Sequence, residues 1–201
     1  MINRNFFFET VRLRLFDGSL KAGQVAGLTG ILDEWEAGHA KKDDRWLAYM
    51  LATVHHETDR TFRPIKEYGG ENYFIKMYDV RGERPQNARD HGNDQPGDGP
   101  KYCGRGFVQL TWKNNYRAMS KVTGVDLVAH PERAMELPVA TKILFYGMMN
   151  GSFTGKKLGD YFNPAGEDWV NARRIINGKD KANIIAEYGK RYYSAISYTT
   201  G

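Results

Sequence analysis

Residues 43–58 of the chain read DDRWLAYMLATVHHET, and this stretch determines the fold class. Its apolar residues recur every three or four positions, which predicts an amphipathic helix from Asp43 or Asp44 to about Glu57. The apolar stripe comprises Trp46, Leu47, Met50, Leu51 and Val54. Because a helix of this kind gains most of its stability by burying its apolar face, we expect the stripe to face the core.

Helical spacing recurs along most of the remaining chain. Ser19 is the expected N-cap of the second helix, and Gly38 is its expected end. The predicted helices cover residues 3–16, 20–38, 43–57, 113–123, 138–150, 167–176 and 182–197. The sequence therefore predicts a mainly α fold, in a single domain over residues 1–201.

Residues 58–106 lack this periodicity and are rich in Gly, Pro, Asp and Asn. A loop-rich stretch of such length inside a compact domain is more often functional than idle. We expect a long irregular central region here, with a small β-hairpin around Ile65–Tyr78.

Composition limits the class of partner. Of the 201 residues, 41% are hydrophobic and 26% charged, as in ordinary soluble proteins, and the net charge of +5 favours anionic partners. The basic residues are spread without a run of five, which argues against nucleic acid. Cys103 is the single cysteine, so an intrachain disulfide is excluded. Neither an apolar run of roughly 18 residues nor a Sec signal is present, so we expect no stable membrane insertion and synthesis in the cytoplasm.

Glu57 is the first candidate for chemistry, because it stands at the predicted end of a helix, after two histidines. The negative end of the helix dipole disfavours an ionised carboxylate, which suits a general acid. A solvated glutamate at a frayed helix end is the simpler alternative. Cleavage of a glycosidic bond needs two carboxyls, and Glu67 follows ten residues later. Its competitors for the second role are Glu71, Asp79 and Glu83.

The segment GRGFVQLTW, residues 104–112, is the second candidate feature, and KNNY follows it. Its glycines allow the backbone to approach a ligand closely. Val108 and Leu110 alternate with Gln109 and Thr111, so a short strand would direct both polar groups to one face. Amide and hydroxyl groups are suited to sugars. The alternative is a buried turn in which the Gln and Asn side chains bind local backbone.

A metal or thiol site has weaker support. His56 lacks the second histidine at i+4 that a zincin helix requires, since Arg60 stands there. His55, His56 and His91 could still meet in space, together with Asp90 or Asp94. Cys103 has no activating signature around it. We therefore expect neither a metal nor another cofactor.

Three motifs together resemble glycoside hydrolase family 19, which contains chitinases and the lysozyme-like endolysins of bacteriophages. They are His56-Glu57-Thr58, then Tyr102–Trp112 with Asn115-Tyr116, and finally Ile175–Gly178. Asp126-Leu127 and Pro131 also fall where the family has such residues. The resemblance covers residues 50–190, and the central motif is its most specific part.

The resemblance implies a lysozyme-like helical fold and hydrolysis of β-1,4 bonds between N-acetylated hexosamines, with inversion. By the same resemblance Glu57 is similar to the general acid and Glu67 to the general base. The implied substrate-binding residues are Gln109, Thr111, Asn115, Tyr116 and Asn177, and the Thr111 hydroxyl helps to hold the water. The sequence departs from the family pattern at Asp59-Arg60 (often Gly-Gly), Phe107 (commonly Pro) and Ile185 (an Arg).

These inferences predict a monomeric hydrolase of peptidoglycan, a bacteriophage endolysin that acts at the bacterial cell wall. Positive charge, a single cysteine and the missing Sec signal agree with a protein made in the host cytoplasm and released onto the wall. A chitinase with the same chemistry is one alternative. A glycan-binding protein without turnover is another, although a glutamine at either carboxylate position would have favoured it more. Muramidase, glucosaminidase and chitinase specificities all remain open.

Overall fold

The structure is a computed structural model that describes residues 1–199. Helices predominate among these residues, which confirms the predicted mainly α fold. The α-helices are α1 (Arg4–Leu15), α2 (Ala22–Gly38), α3 (Asp44–Glu57), α4 (Glu71–Tyr78), α5 (Pro85–Asp90), α6 (Asp98–Lys101), α7 (Lys113–Thr123), α8 (Leu137–Asn150) and α9 (Ala182–Ala195). The strands are β1 (Ile65–Lys66), β2 (Arg105–Gly106), β3 (Phe162–Asn163) and β4 (Gly166–Glu167). Short 3-10 helices cover Pro131–Met135, Leu158–Asp160 and Asn171–Ile175.

The chain divides into two compact units. The first contains Met1–Phe62 and Leu144–Gly201, and the second contains Arg63–Ile143. The single domain over residues 1–201 stays a prediction, and its last two residues lie outside the described part. None of the helices within residues 1–199 has the length and apolar composition needed to cross a membrane.

Helix α3 forms the centre of the first unit, where it packs against α9. It begins and ends where the sequence predicts, and Asp43 caps it by accepting a hydrogen bond from the Arg45 amide at 3.0 Å. All residues from 47 to 55 are buried, so burial extends beyond the predicted apolar stripe, whereas Trp46 of that stripe is only half-buried. Gly189 lets the ring of Trp169 lie close to α9, because a Cβ there would be 2.8 Å from the ring. The helix end at Glu57 is therefore held by a rigid core.

In the second unit β1 pairs antiparallel with β2, with Ile65 opposite Gly106. The predicted hairpin within Ile65–Tyr78 is therefore wrong. Its second half instead forms the eight-residue helix α4, in which Phe74 is buried. A helix this short has too few apolar positions for its periodicity to stand out. The strand pair brings residue 67 beside residue 104, which local patterns do not reveal.

Two helices also begin at residues other than those that the sequence predicts. Helix α2 starts at Ala22 rather than after Ser19, because Gln24 Oε1 accepts a hydrogen bond from the Lys21 amide at 2.7 Å. The helix predicted for 167–176 is only the 3-10 helix Asn171–Ile175. Asp168 starts that tight turn by accepting a hydrogen bond from the Asn171 amide at 3.0 Å.

Candidate active site

Glu57 is the last residue of α3, and the turn after it is firmly held. Thr58 is fully buried, and its hydroxyl donates to the Val54 carbonyl at 2.7 Å. The same hydroxyl oxygen accepts a hydrogen bond from the Phe62 amide at 3.0 Å. One side chain thus satisfies backbone groups on both sides of the turn, which fixes the direction in which the chain leaves Glu57.

The backbone at Asp59 and Arg60 is left-handed, with φ of 48° and 64°. Such a conformation costs about 1–2 kcal/mol for a residue with a side chain. The family that the sequence resembles often has Gly-Gly at these two positions, and glycine adopts this conformation without that cost. Here tertiary contacts hold the turn instead: the Arg60 guanidinium donates to the Leu15 carbonyl at 2.9 Å and to Asp17 at 2.8 Å.

Arg173 pairs with Glu57, and nothing in the sequence pattern had singled it out. Its Nη1 donates to Glu57 Oε1 at 2.6 Å, and its Nε donates to the Asp180 carbonyl at 3.1 Å. The side chains of Arg173 and Glu57 are only 4% and 16% exposed. A buried guanidinium held at two points can orient a carboxyl group strictly. Asn177, predicted to bind substrate, is exposed on the same turn, and its amide donates to the Arg173 carbonyl at 3.1 Å.

The surroundings of the two histidines before Glu57 suit a structural role. His55 is buried, and its Nδ1 lies 2.8 Å from the Tyr192 hydroxyl. Burial, with Arg60 nearby, lowers the pKa of His55 to about 3, so the ring is neutral at ordinary pH. Burial also lowers the pKa of the half-buried His56. Within residues 1–199, no group of three or more His, Cys, Asp or Glu side chains is placed to hold a metal ion.

Replacing Arg173 with methionine is expected to lower the free energy of unfolding by about 3–5 kcal/mol, because the mostly buried Glu57 carboxylate loses its cation. The remaining 16% exposure of Glu57 favours the lower end of that range. Urea denaturation of the purified protein measures the change. The matched control is Arg174→Met, at the exposed neighbouring position, where we expect less than about 0.5 kcal/mol.

A double-mutant cycle separates the ion pair from other contacts of Arg173. In a Glu57→Gln background, Arg173→Met should cost clearly less than in the wild type, since the hydrogen bond to Asp180 is lost in both backgrounds. Equal costs in the two backgrounds would contradict the coupling.

Glu67 directly follows β1, and its carboxylate accepts three hydrogen bonds from groups in the described part of the chain. Oε1 accepts from the hydroxyl of Tyr78 at 2.8 Å and from that of Tyr73 at 3.4 Å. Oε2 accepts from the Gly104 amide at 3.1 Å. The two tyrosines were not predicted from the sequence, where an aromatic residue is read first as core.

Gly104 allows the backbone to come this close to Glu67. A Cβ at residue 104 would lie 3.0 Å from Glu67 Oε2 and 2.9 Å from Gln109 Oε1. The Glu67 amide also donates to the Gly104 carbonyl at 2.8 Å, so the two residues are joined twice. The glycine predicted to permit close approach to a ligand thus permits close approach to a carboxylate of the protein itself.

The three competitors of Glu67 lie in other surroundings. The side chain of Asp79 is fully buried, where it accepts from Gly97, Gly99 and Arg81. Burial alone would raise the pKa of Asp79, but these donors outweigh it and hold the pKa at about 2. Glu83 pairs with Lys76 at 3.1 Å on the surface, and Glu71 is exposed in the first turn of α4.

The predicted strand around Gln109 is instead a tight turn. The Arg105 and Leu110 backbones exchange hydrogen bonds at 3.1 and 2.8 Å, and Gln109 lies in the left-handed region with φ of 53°. Its Nε2 donates to the carbonyls of Ile65 at 3.3 Å and Gly106 at 3.2 Å. The alternation with apolar neighbours was therefore misleading, because the chain reverses within the motif.

Two other predicted substrate ligands also bind local backbone. The Thr111 hydroxyl donates to the Gln109 carbonyl at 2.8 Å, and Asn115 Nδ2 donates to the Thr111 carbonyl at 2.8 Å. Both side chains are half-buried. These contacts match the alternative in which Gln and Asn bind the backbone of a turn, and binding of a sugar by these groups stays a prediction.

Tyr116 is fully buried, and its hydroxyl donates to the Cys103 carbonyl at 2.8 Å. The same hydroxyl accepts from the buried Arg105 guanidinium at 3.0 Å. In this conformation Tyr116 holds the motif together and does not offer its hydroxyl to a ligand. Burial raises the pKa of Cys103, which keeps the thiol protonated and opposes a role as nucleophile.

Comparison with known proteins gives matches in sequence and in structure. The sequence model of glycoside hydrolase family 19, described as chitinase class I, matches residues 29–154. A glycosyl hydrolase family 19 domain-containing protein of Haemophilus influenzae is 38% identical over 63 residues, which are only 30% of either chain.

Two solved structures share the fold. Chitinase C from Streptomyces griseus HUT6037 has 23% identity and a TM-score of 0.62, covering 95% of this chain and 90% of that one. A bacterial family 19 chitinase has 21% identity and a TM-score of 0.60, covering 95% and 92%. These likenesses confirm the predicted lysozyme-like helical fold.

Proposed function

Because the chain belongs to glycoside hydrolase family 19, it is a glycoside hydrolase, and we propose that its substrate is bacterial peptidoglycan. In this proposal the protein is a bacteriolytic endolysin of the bacteriophage type, and it acts as a monomer at the cell wall. It cleaves β-1,4 bonds between N-acetylated hexosamines. Membership of the family establishes the class of reaction, the hydrolysis of glycosidic bonds. The choice of peptidoglycan as the substrate is the proposal.

We assign Glu57 as general acid and Glu67 as general base. Glu57 donates its proton to the oxygen of the leaving sugar as the glycosidic bond breaks. Glu67 takes a proton from the water whose oxygen bonds to the anomeric carbon, so the configuration inverts. Glu57 ends ionised and Glu67 protonated. Arg173, 2.6 Å from Glu57 Oε1, pairs with this carboxylate before Glu57 takes up the proton that it donates, and again after the proton has left.

The surroundings of the carboxylates support Glu67 over Asp79 as the base. A base must present an oxygen to water, and Glu67 is half-buried with backbone and phenol donors beside it. The Asp79 side chain has no exposed surface and is occupied by amides and a guanidinium. Its low pKa also makes it a weak acceptor of a proton.

The net charge of +5 is the observation that carries the choice of peptidoglycan. Peptidoglycan bears carboxylates on its peptide stems, whereas chitin is uncharged. A positively charged enzyme is drawn to the first polymer and gains nothing electrostatically from the second. Chitin is the second candidate, because the matching family model is described as chitinase class I and the similar solved structures are chitinases.

Mass spectrometry of the products from purified peptidoglycan and from chitin tests the proposal. We expect soluble muropeptides from peptidoglycan at a much higher rate than oligosaccharides from chitin. The sugar at the new reducing end distinguishes a muramidase from a glucosaminidase. A Glu57→Gln preparation, purified identically, controls for contaminating hydrolases. Faster release of oligosaccharides from chitin, with peptidoglycan left intact, would overturn the proposed endolysin and favour the chitinase.

A further inference from the structure

The hydrogen bonds to Glu67 are distributed unequally over its two oxygens. An ionised carboxylate offers about four lone-pair positions, two on each oxygen. The hydroxyls of Tyr78 and Tyr73 both donate to Oε1, at 2.8 and 3.4 Å. Within residues 1–199, Oε2 accepts one hydrogen bond, from the Gly104 amide at 3.1 Å, and so uses one of its two positions.

We propose that Tyr78 is a positioning residue that turns Glu67 so that Oε2 takes the proton from the attacking water. This inference rests on the proposed role of Glu67 as general base. The water's proton passes to Oε2 while the water's oxygen bonds to the anomeric carbon, and the electrons of the broken glycosidic bond stay with the leaving oxygen, which Glu57 protonates. Oε1 already accepts from two phenol hydroxyls, firmly from Tyr78 and more weakly from Tyr73, so Oε2 has the position for that proton.

Tyr78, rather than Tyr73, supplies the firm contact. Its ring packs edge-on against Trp112 with centroids 5.1 Å apart and lies parallel to Phe74 at 6.5 Å. Burial and the hydrogen bond to Glu67 raise the pKa of Tyr78 well above its usual value, so the hydroxyl remains a donor. Tyr73 is 41% exposed and its hydrogen bond is longer, so it contributes less.

The end of α4 is itself anchored, which makes Tyr78 a fixed reference point. Tyr78 is the last residue of α4, and the next residue is the buried Asp79. Asp79 accepts from the amides of Gly97 at 2.8 Å and Gly99 at 3.1 Å. The Tyr78 carbonyl accepts from Asn93 Nδ2 at 2.8 Å. The backbone of Tyr78 therefore cannot shift without breaking these hydrogen bonds, and its ring is held by the contacts with Trp112 and Phe74.

The test is Tyr78→Phe, which removes the hydroxyl and keeps the ring. We expect kcat to fall roughly 10- to 100-fold with little change in KM, since a hydrogen bond to a charged group is lost. The acidic limb of kcat against pH should move to higher pH, because that hydrogen bond favours the ionised base. The matched control is Tyr68→Phe, at the neighbouring position that is 78% exposed, which should leave kcat and its pH profile unchanged.

Parallel variants separate failure of this inference from failure of the proposed function. If Glu67→Gln is inactive but Tyr78→Phe has the wild-type kcat and pH profile, Tyr78 does not position the base. A fall in kcat without movement of the acidic limb would likewise reduce Tyr78 to a structural residue. Full activity of Glu67→Gln would overturn the base assignment itself. In the double variant Glu67→Gln/Tyr78→Phe, kcat should be no lower than in Glu67→Gln alone.

Discussion

Replacing Glu57 with glutamine is expected to lower the rate of glycan hydrolysis by about 10²–10⁴-fold, the usual contribution of one acid–base group. The leaving sugar would depart without a proton, which raises the barrier of bond cleavage. The fold should persist, because the glutamine carbonyl oxygen can still accept the hydrogen bond that Arg173 now donates. The measurement is kcat on solubilised substrate, with thermal unfolding recorded on the same preparation.

The control for this prediction is Glu187→Gln, an exposed carboxylate on α9 with the same charge change. Its activity should equal that of the wild type. A Glu57→Gln protein that hydrolyses glycan at the wild-type rate would remove Glu57 from the mechanism. A loss of activity accompanied by unfolding would instead point to the ion pair with Arg173 as the more important role.

Replacing Glu67 with glutamine is expected to cause a loss of similar size, about 10²–10⁴-fold, because an amide cannot take a proton from water. A second effect adds to the first. The new NH₂ group must face either the Tyr78 hydroxyl or the Gly104 amide, and both are donors in the present structure. The variant should remain folded, since Glu67 is only half-buried, and circular dichroism checks this.

Asp79→Asn distinguishes the base from its buried competitor. Its carboxylate accepts hydrogen bonds from two glycine amides and from Arg81, so an amide there leaves donors unsatisfied. We expect a lower melting temperature with kcat of the folded protein unchanged. The opposite pattern, a stable Asp79→Asn protein without turnover and an active Glu67→Gln protein, would move the base to Asp79.

Long amphipathic segments were predictable to within a residue or two. The bounds of α3 and α7 agree with the sequence analysis, and α8 begins one residue earlier than predicted. Each contains at least eleven residues, so its apolar positions repeat often enough to be recognised. The end of α3 at Glu57, the proposed general acid, was among them.

Residues 58–106 were not predictable in the same way. Their helices have between four and eight residues, and β1 pairs with a strand about forty positions away. Neither feature leaves a periodic pattern. The prediction of a strand around Gln109 was wrong for a related reason. A hydrogen-bonded reversal of the chain can show the same apolar alternation as a strand. Local sequence patterns therefore predicted the long helices better than the conformation of residues 58–112.

The candidate carboxylates and the family follow from the sequence, because catalytic motifs keep residue types at set spacings whatever surrounds them. The partners of those carboxylates come from tertiary folding. Arg173 is 116 positions from Glu57, and Gly104 is 37 positions from Glu67, so the contacts form only when distant segments pack. Hydrogen bonding and burial depend on which groups meet in space, and that is why the chemistry of each carboxylate becomes specific only in the folded chain.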